Sequence, residues 1–343
     1  MKAVVIHSAR DLRIEERPPE SAGPGQVEIA IAAGGICGSD LHYYQDGGFG
    51  TVRVREPMIL GHEIAGIVTG LGAGVTQLAI GDRVAISPSR PCNKCAYCLK
   101  GQQNHCIDMR FYGSAMPMPH IQGGFRQQLV AEAWQCHRIA DHVSLGEAAF
   151  AEPLAVTLHA VGQAGSLLGK KVLVSGCGPI GALTVLAALA LGAAEIVVTD
   201  IVEEALAKGL QVGADRAVNV TEPGALAQFA ADRGYFDVQV ECSGNERAVR
   251  SGLDVLKPRA TLVQLGIGGE MTLPTNTIVA KEITMRGSFR FHEEFGLAVD
   301  LINRRRIDVR PLLSATYPLD RAVEAFEVAG DRRRAMKVQL DFA

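Results

Sequence analysis

The sequence predicts an α/β chain built in two parts, a β-rich domain and a doubly wound parallel sheet. Three observations carry that prediction. Glycine-punctuated segments of alternating polarity run to about residue 150. Strand and helix patterns then alternate from about 155 to 290, and a Gly-x-Gly-x-x-Gly turn joins a strand to a helix at 176–181. With 343 residues, the chain is long enough for two domains that each bury a core.

In the first part, short strands are expected at 27–32, 64–68, 83–87 and 125–130, separated by long loops. Gly70, Gly72 and Gly74 imitate a nucleotide loop, but Asp82-Arg-Val-Ala-Ile follows instead of a helix, so they read as a β-turn. Residues 172–194 carry no charge, a length that imitates a membrane span. Their interior is strand, glycine turn and apolar helix, and 195–200 is a second strand. They form one unit of a parallel sheet. Further strands are expected at 217–220, 237–242, 261–266 and 283–287, with helical composition over 202–212 and 245–256. Beyond about 290 come one or two helices and a final strand at 337–341 that should rejoin the first domain. The expected domains are 1–153 with 291–343, and 154–290.

A formal net charge of −3 gives no electrostatic case for a nucleic-acid partner, and no membrane association is expected. The basic runs 304–306 and 332–334 are short and read as solvated faces. Eight cysteines, four of them grouped, are too few for a disulfide scaffold at this length and suit a reducing compartment, the cytoplasm. The N-terminal residues do not read as a signal peptide.

Two metal sites are expected. Cys92, Cys95, Cys98 and Cys106 stand at C-x2-C-x2-C-x7-C, and four thiolates closing a tetrahedral shell signify structural zinc. Cys37, His62 and one carboxylate, Glu63 or Glu152, offer sulfur, nitrogen and oxygen. That set leaves a fourth position open, as in catalytic zinc.

A cofactor site is expected at the glycine turn. Gly176 permits the tight turn, Gly178 lets backbone approach a pyrophosphate, and Gly181 allows helix and strand to pack closely. Pro179, followed by Ile180, opens the helix where a missing N–H costs nothing. Asp200 ends the second strand, 24 positions after Gly176. A carboxylate there can accept both adenosine ribose hydroxyls and repel a 2′-phosphate, and 201–204 offers no arginine. NAD is therefore expected over NADP.

In this order, Gly61-His62-Glu63, the 92–106 lobe and the glycine turn resemble the zinc-dependent medium-chain alcohol dehydrogenases over essentially the whole chain. Cys37-Gly-Ser39-Asp40-Leu-His42-Tyr and Glu152-Pro-Leu resemble the polyol branch, which includes sorbitol and xylitol dehydrogenases. Gly-Gly-Ile-Cys37 through Gln45, Asp108 through Met116, Pro119-His120 with Gly123-Gly-Phe125, and Gly287 through Phe291 resemble the L-idonate 5-dehydrogenase type more closely.

That resemblance implies a GroES-like catalytic domain, a Rossmann domain and a cleft between them. It implies that Cys37, His62 and Glu152 bind catalytic zinc, with Glu63 as an alternate or additional ligand and Asp40 supporting His62. Ser39 and His42 would pass a proton toward solvent while hydride goes to NAD. Leu265, Gly266, Ser288 and Phe289 would complete the cofactor site. Tyr43, Tyr44, Phe49, Phe111 and Arg290 are pocket candidates, and the Arg290 fork suits a carboxylate. The expected reaction is reversible oxidation of L-idonate to 5-keto-D-gluconate, with a polyol such as sorbitol or xylitol as the alternative substrate. The expected assembly is a homodimer or homotetramer.

Overall fold

A computed structural model describes residues 1–342. The chain divides into two compact units. The first comprises Met1–Glu152, Phe295–Arg305 and Leu313–Ala343, and the second Pro153–Glu294 and Arg306–Leu312. Pro153, residues 291–294 and residues 306–312 thus belong with the second unit, where the sequence predicts 1–153 and all of 291–343 in the first. No helix among the described residues is long and apolar enough to cross a membrane.

The first unit is built on a seven-stranded sheet. Gln26–Gly35 lies at its centre, paired antiparallel with Glu63–Leu71, Gln128–Glu132 and the late strand Lys337–Asp341. Val27, Ile29 and Ile31 alternate inward along it, the period-2 pattern of a sheet with one buried face. They pack with Ile64, Phe125, Leu129, Phe326 and Leu340 in one core. The expected strand at 125–130 begins only at Gln128. Phe125 instead turns its buried ring under Gly61, where a Cβ would lie 2.0 Å from the ring. Of the expected turn glycines, Gly70 lies in the strand Glu63–Leu71, and the turn runs from Gly72 to Gly74.

The second unit holds a six-stranded parallel sheet: β1 (Lys171–Ser175), β2 (Glu195–Asp200), β3 (Arg216–Asn219), β4 (Phe236–Glu241), β5 (Leu256–Gln264) and β6 (Thr284–Gly287). Its order is β3-β2-β1-β4-β5-β6, so the winding reverses between β1 and β4. Ligands of such sheets bind outside the carboxyl ends of the strands at that reversal. β5 starts earlier than its apolar pattern suggests. Its register slips between Phe236–Leu256 and Val238–Thr261, leaving 257–260 as a bulge.

The basic run 304–306 is not uniformly solvated. Arg305 pairs with Glu147 and donates to the His142 carbonyl, which suits a guanidinium with several donors beside a capping carboxylate.

Glu294 accepts His159 Nδ1 at 2.8 Å and the His292 amide at 2.9 Å. Burial opposes its charge, yet these bonds hold its pKa down at about 2. A depressed carboxylate pKa adds stability above the unfolded value, near 4.3, which is lost as pH falls toward 2. Glu294→Gln should therefore cost on the order of 2 kcal/mol at pH 7 and far less at pH 2, as read by urea unfolding at both pH values.

Candidate active site

Cys37 caps the helix Gly38–Asp46, and the strand Glu63–Leu71 begins directly after His62. These neighbouring element ends bring ligand atoms of Cys37, His62 and Glu63 within 4.8 Å of one another. The close fit depends on Gly35, where a Cβ would stand 2.0 Å from Glu63 Oε2. Asp40 is fully buried. It accepts the Cys37 amide at 3.0 Å and the Gly61 amide at 3.2 Å, and Oδ1 lies 3.9 Å from His62 Nδ1. That Nδ1 has no hydrogen-bond partner although it is buried.

Glu152, in the first turn of the helix Ala151–Gln163, is also buried but stands outside the group of three. Burial, reinforced by Glu63 and Cys37 against His62 and Lys337, pushes its carboxyl up to about 8. Burial and the Glu63 charge likewise push the Cys37 thiol up to about 12. Several acid groups thus share one desolvated space.

The four lobe cysteines also bring their sulfurs within 4.8 Å of one another. The Cys92 amide donates to Cys106 Sγ at 3.2 Å. Amides of Cys98 and Ile107 aimed at the Cys95 sulfur lower that thiol to about 6. Burial raises Cys98 to about 12.

In the second unit, Gly176 has φ 86° and Gly181 packs so closely that a Cβ would lie 1.9 Å from the Gly176 carbonyl. The helix Pro179–Ala190 starts with Pro in its first turn and leaves its amide end facing the carboxyl edge of the sheet. Asp200 is buried and its carboxylate accepts three backbone amides, Cys177 at 2.7 Å, Ile201 at 2.7 Å and Val202 at 3.1 Å.

Two family profiles match the chain: an alcohol dehydrogenase GroES-like domain over residues 23–141, and a zinc-binding dehydrogenase domain over residues 179–304. The chain is 47% identical to L-idonate 5-dehydrogenase (NAD(P)(+)) of Escherichia coli K12 over 342 residues, covering 99% of this chain and 98% of that one. It is 38% identical to sorbitol dehydrogenase of Gallus gallus, covering 98% and 95%. It superimposes on the crystal structure of the E. coli L-idonate 5-dehydrogenase with TM-score 0.96 and 44% sequence identity, covering 99% and 98%. The chain belongs to the zinc-binding alcohol dehydrogenases.

The zinc implied by that family fits both donor sets of this dehydrogenase. At the first, a half-buried thiol, a buried imidazole and buried carboxylates converge around too little positive charge, and a divalent cation would offset the desolvation that now raises Cys37 and Glu152. At the second, four thiols face one another and backbone amides favour the thiolate of Cys95.

The dehydrogenase has a further charged group that sequence reasoning missed. Lys337 Nζ is buried and donates to both Glu63 oxygens at 2.8 Å and to the Ile36 carbonyl at 3.1 Å. Burial opposes its charge, but Glu63 and Cys37 hold its pKa above the ordinary lysine value. The signal in the sequence was a Lys opening the short alternating strand Lys337–Asp341, at a position that proves buried.

Pocket candidates divide by location. The Phe111 ring lies 5.6 Å from that of His62. Tyr43 is instead part of the core, with its hydroxyl accepting the Ala115 amide at 3.1 Å. Tyr44 donates to Glu327 and packs on Phe326. Phe49 lies 5.5 Å from the Tyr43 ring. Arg290, in the second unit, has φ 55° and stacks 5.0 Å from the Phe289 ring.

Removing Lys337 strands a buried carboxylate, which costs about 3–5 kcal/mol. In EDTA, Lys337→Met should be destabilised by that amount, and the Lys337→Met, Glu63→Gln double variant should regain most of it. Urea unfolding of the four members of the cycle checks this.

Proposed function

We propose that this dehydrogenase reversibly oxidises a secondary hydroxyl of a sugar acid, L-idonate to 5-keto-D-gluconate, with NAD as hydride acceptor. The observation that carries the chemistry is the convergence of the half-buried Cys37 thiol with the buried His62 imidazole and Glu63 carboxylate. The substrate rests on the 47% identity to the E. coli enzyme, against 38% for the avian sorbitol dehydrogenase.

Zinc would be held by Cys37, His62 and a carboxylate, where it would act as a Lewis acid on a hydroxyl or carbonyl oxygen. Glu152 is the carboxylate the family resemblance implies, whereas the geometry groups Glu63 with Cys37 and His62 and Lys337 takes only one acceptor site on each of its oxygens. Glu63 then serves as the alternate ligand. Asp40 would orient His62 through Nδ1.

Ser39 is half-buried and His42 exposed on the same helix, an order that suits passing a proton outward from the substrate hydroxyl. His42 Nδ1 lies 3.4 Å from Asp46, a carboxylate that would stabilise the imidazolium formed in transit. Arg290 is the candidate for the substrate carboxylate.

Pyrophosphate would sit on the amides of Gly178, Ile180 and Gly181, with Gly176, whose own amide donates to the Thr199 carbonyl, and Pro179 shaping the turn, and with Leu265, Gly266, Ser288 and Phe289 completing the site. NAD preference is supported by the acidic Asp200 and the lack of arginine at 201–204. A carboxylate has about four acceptor sites, so three amide bonds leave Asp200 little capacity for a ribose hydroxyl. Repulsion of a 2′-phosphate is then its main contribution. The exposed edge strand β6 supports a homodimer or homotetramer.

Two measurements test the reading. NADH formation should be fastest with L-idonate among L-idonate, D-sorbitol, xylitol, D-gluconate and L-threonine; a preference for sorbitol or xylitol would leave the zinc chemistry standing and overturn the sugar-acid assignment. Metal analysis should give about two zinc per chain, falling to about one in Cys37→Ser and in Cys98→Ser. Cys37→Ser should lose turnover yet keep NADH binding, whereas Cys98→Ser should chiefly lower Tm. Full activity in Cys37→Ser would remove that residue from the site.

A further inference from the structure

Glu241 ends β4, the strand at which the winding of the parallel sheet reverses, and it is fully buried. Its register neighbours are Ser175, the last residue before the glycine turn, and Gln264, the last residue of β5. Four donors meet its carboxylate. Oε1 accepts the Ser243 amide at 2.8 Å and the Ser243 hydroxyl, and Oε2 accepts the Gly244 amide at 2.9 Å and Gln264 Nε2 at 2.7 Å. Its backbone carbonyl takes the amides of Leu265 at 2.9 Å and Gly266 at 2.8 Å.

The three loops at this edge interlock around that carboxylate. A Cβ on Gly176 would meet Ser243 at 2.8 Å. One on Gly266 would lie 2.1 Å from the Gly244 amide nitrogen, and one on Gly268 would lie 1.6 Å from the Gly244 carbonyl oxygen. Moving the loop after β4 therefore moves both the glycine turn and the loop after β5.

Only an acceptor-only group satisfies four donors here. A glutamine would turn its own NH2 toward two of them. Among the described residues no cation hydrogen-bonds Glu241, so its negative charge is held by amide, hydroxyl and carboxamide dipoles in a desolvated place. In a sheet wound this way the adenosine half of a dinucleotide lies over the β2 side, where Asp200 stands, and the other half over β4 and β5. The nicotinamide ring on that second half is cationic when oxidised and neutral when reduced.

We propose that Glu241 is a positioning residue with two effects: it locks the 176–178, 242–245 and 265–268 loops into a cofactor-binding shape, and its charge favours the oxidised nicotinamide over the reduced one. The inference rests on the NAD reading above.

The test compares the affinities of the full-length protein for NAD⁺ and NADH, using NADH fluorescence and its displacement. Four proteins are compared: wild type, Glu241→Gln, Glu241→Asp and Asp237→Asn. Asp237 lies near the opposite end of the same strand. It accepts the Lys171 amide at 2.9 Å and pairs with Lys257 at 2.9 Å, so its variant controls for loss of a structural carboxylate.

Glu241→Gln should weaken both ligands, with NAD⁺ weakened about tenfold more than NADH, the size expected of one charge acting at several ångströms in a partly buried site. Glu241→Asp keeps the charge but shortens the reach. It should weaken both ligands about equally, and it carries the loop-locking test on its own if the glutamine variant does not fold. Asp237→Asn should lower Tm and leave both affinities within about twofold of wild type, as expected for a site outside the cofactor edge.

Equal loss of both ligands in Glu241→Gln would overturn the charge effect, and unchanged affinities in either Glu241 variant would overturn the locking. Failure of wild type to bind NADH would overturn the NAD reading itself, a result separate from the others.

Discussion

The buried pair of Lys337 and Glu63 is the interaction on which the first unit depends. Around it lie Cys37, Asp40, His62 and Glu152, all drawn out of water by the central sheet. Burying that many acid groups is costly unless something positive is buried with them. A single ammonium supplied by the strand Lys337–Asp341 supports the cluster, and it fixes the Glu63 carboxylate by bonding both oxygens. Gly35 supplies the space and Asp40 ties the helix start to the Gly61 amide. The site is therefore a property of the sheet's centre more than of any loop.

The second unit solves a related problem by different means. Its two carboxylates at strand ends, Asp200 and Glu241, each use their oxygens mainly on amide and side-chain donors of the loops that follow. Backbone N–H groups at a strand end must find acceptors once buried. A carboxylate with four lone-pair positions can take several at once and so fix a turn that has no regular structure of its own. Rigid loops at the carboxyl edge are what a pre-organised nucleotide site requires.

Local patterns made much of this visible in the sequence. The parallel sheet was legible because each strand and helix carries its own periodicity, and the thiol lobe because its four ligands lie within 92–106. Strand limits failed where tertiary packing decided them: Phe125 left its strand to pack against Gly61, and 257–260 bulged out opposite Asp237. Long-range pairings were invisible. Nothing near Glu63 announces a lysine 274 positions away, and nothing near Arg305 announces Glu147. Tyr43 was a pocket candidate by family resemblance alone, and the Ala115 amide that engages its hydroxyl lies 72 positions away. Glu241 carried a faint signal, a charged residue closing the alternating strand β4, but its four donors come from two places, the loop after β4 and the end of β5.

The position of Lys337 has a consequence for how the chain is made. A ribosome releases the first 152 residues, with Cys37, His62, Glu63 and Glu152 all present, long before the lysine that balances them. The whole nucleotide-binding unit is synthesised in the interval. Its parallel sheet is contained in one continuous stretch, so it can form as soon as that stretch emerges, whereas the earlier segment must wait with its acidic cluster uncompensated. The central sheet of the first unit therefore stays incomplete until that last strand is made and pairs beside Gln26–Gly35.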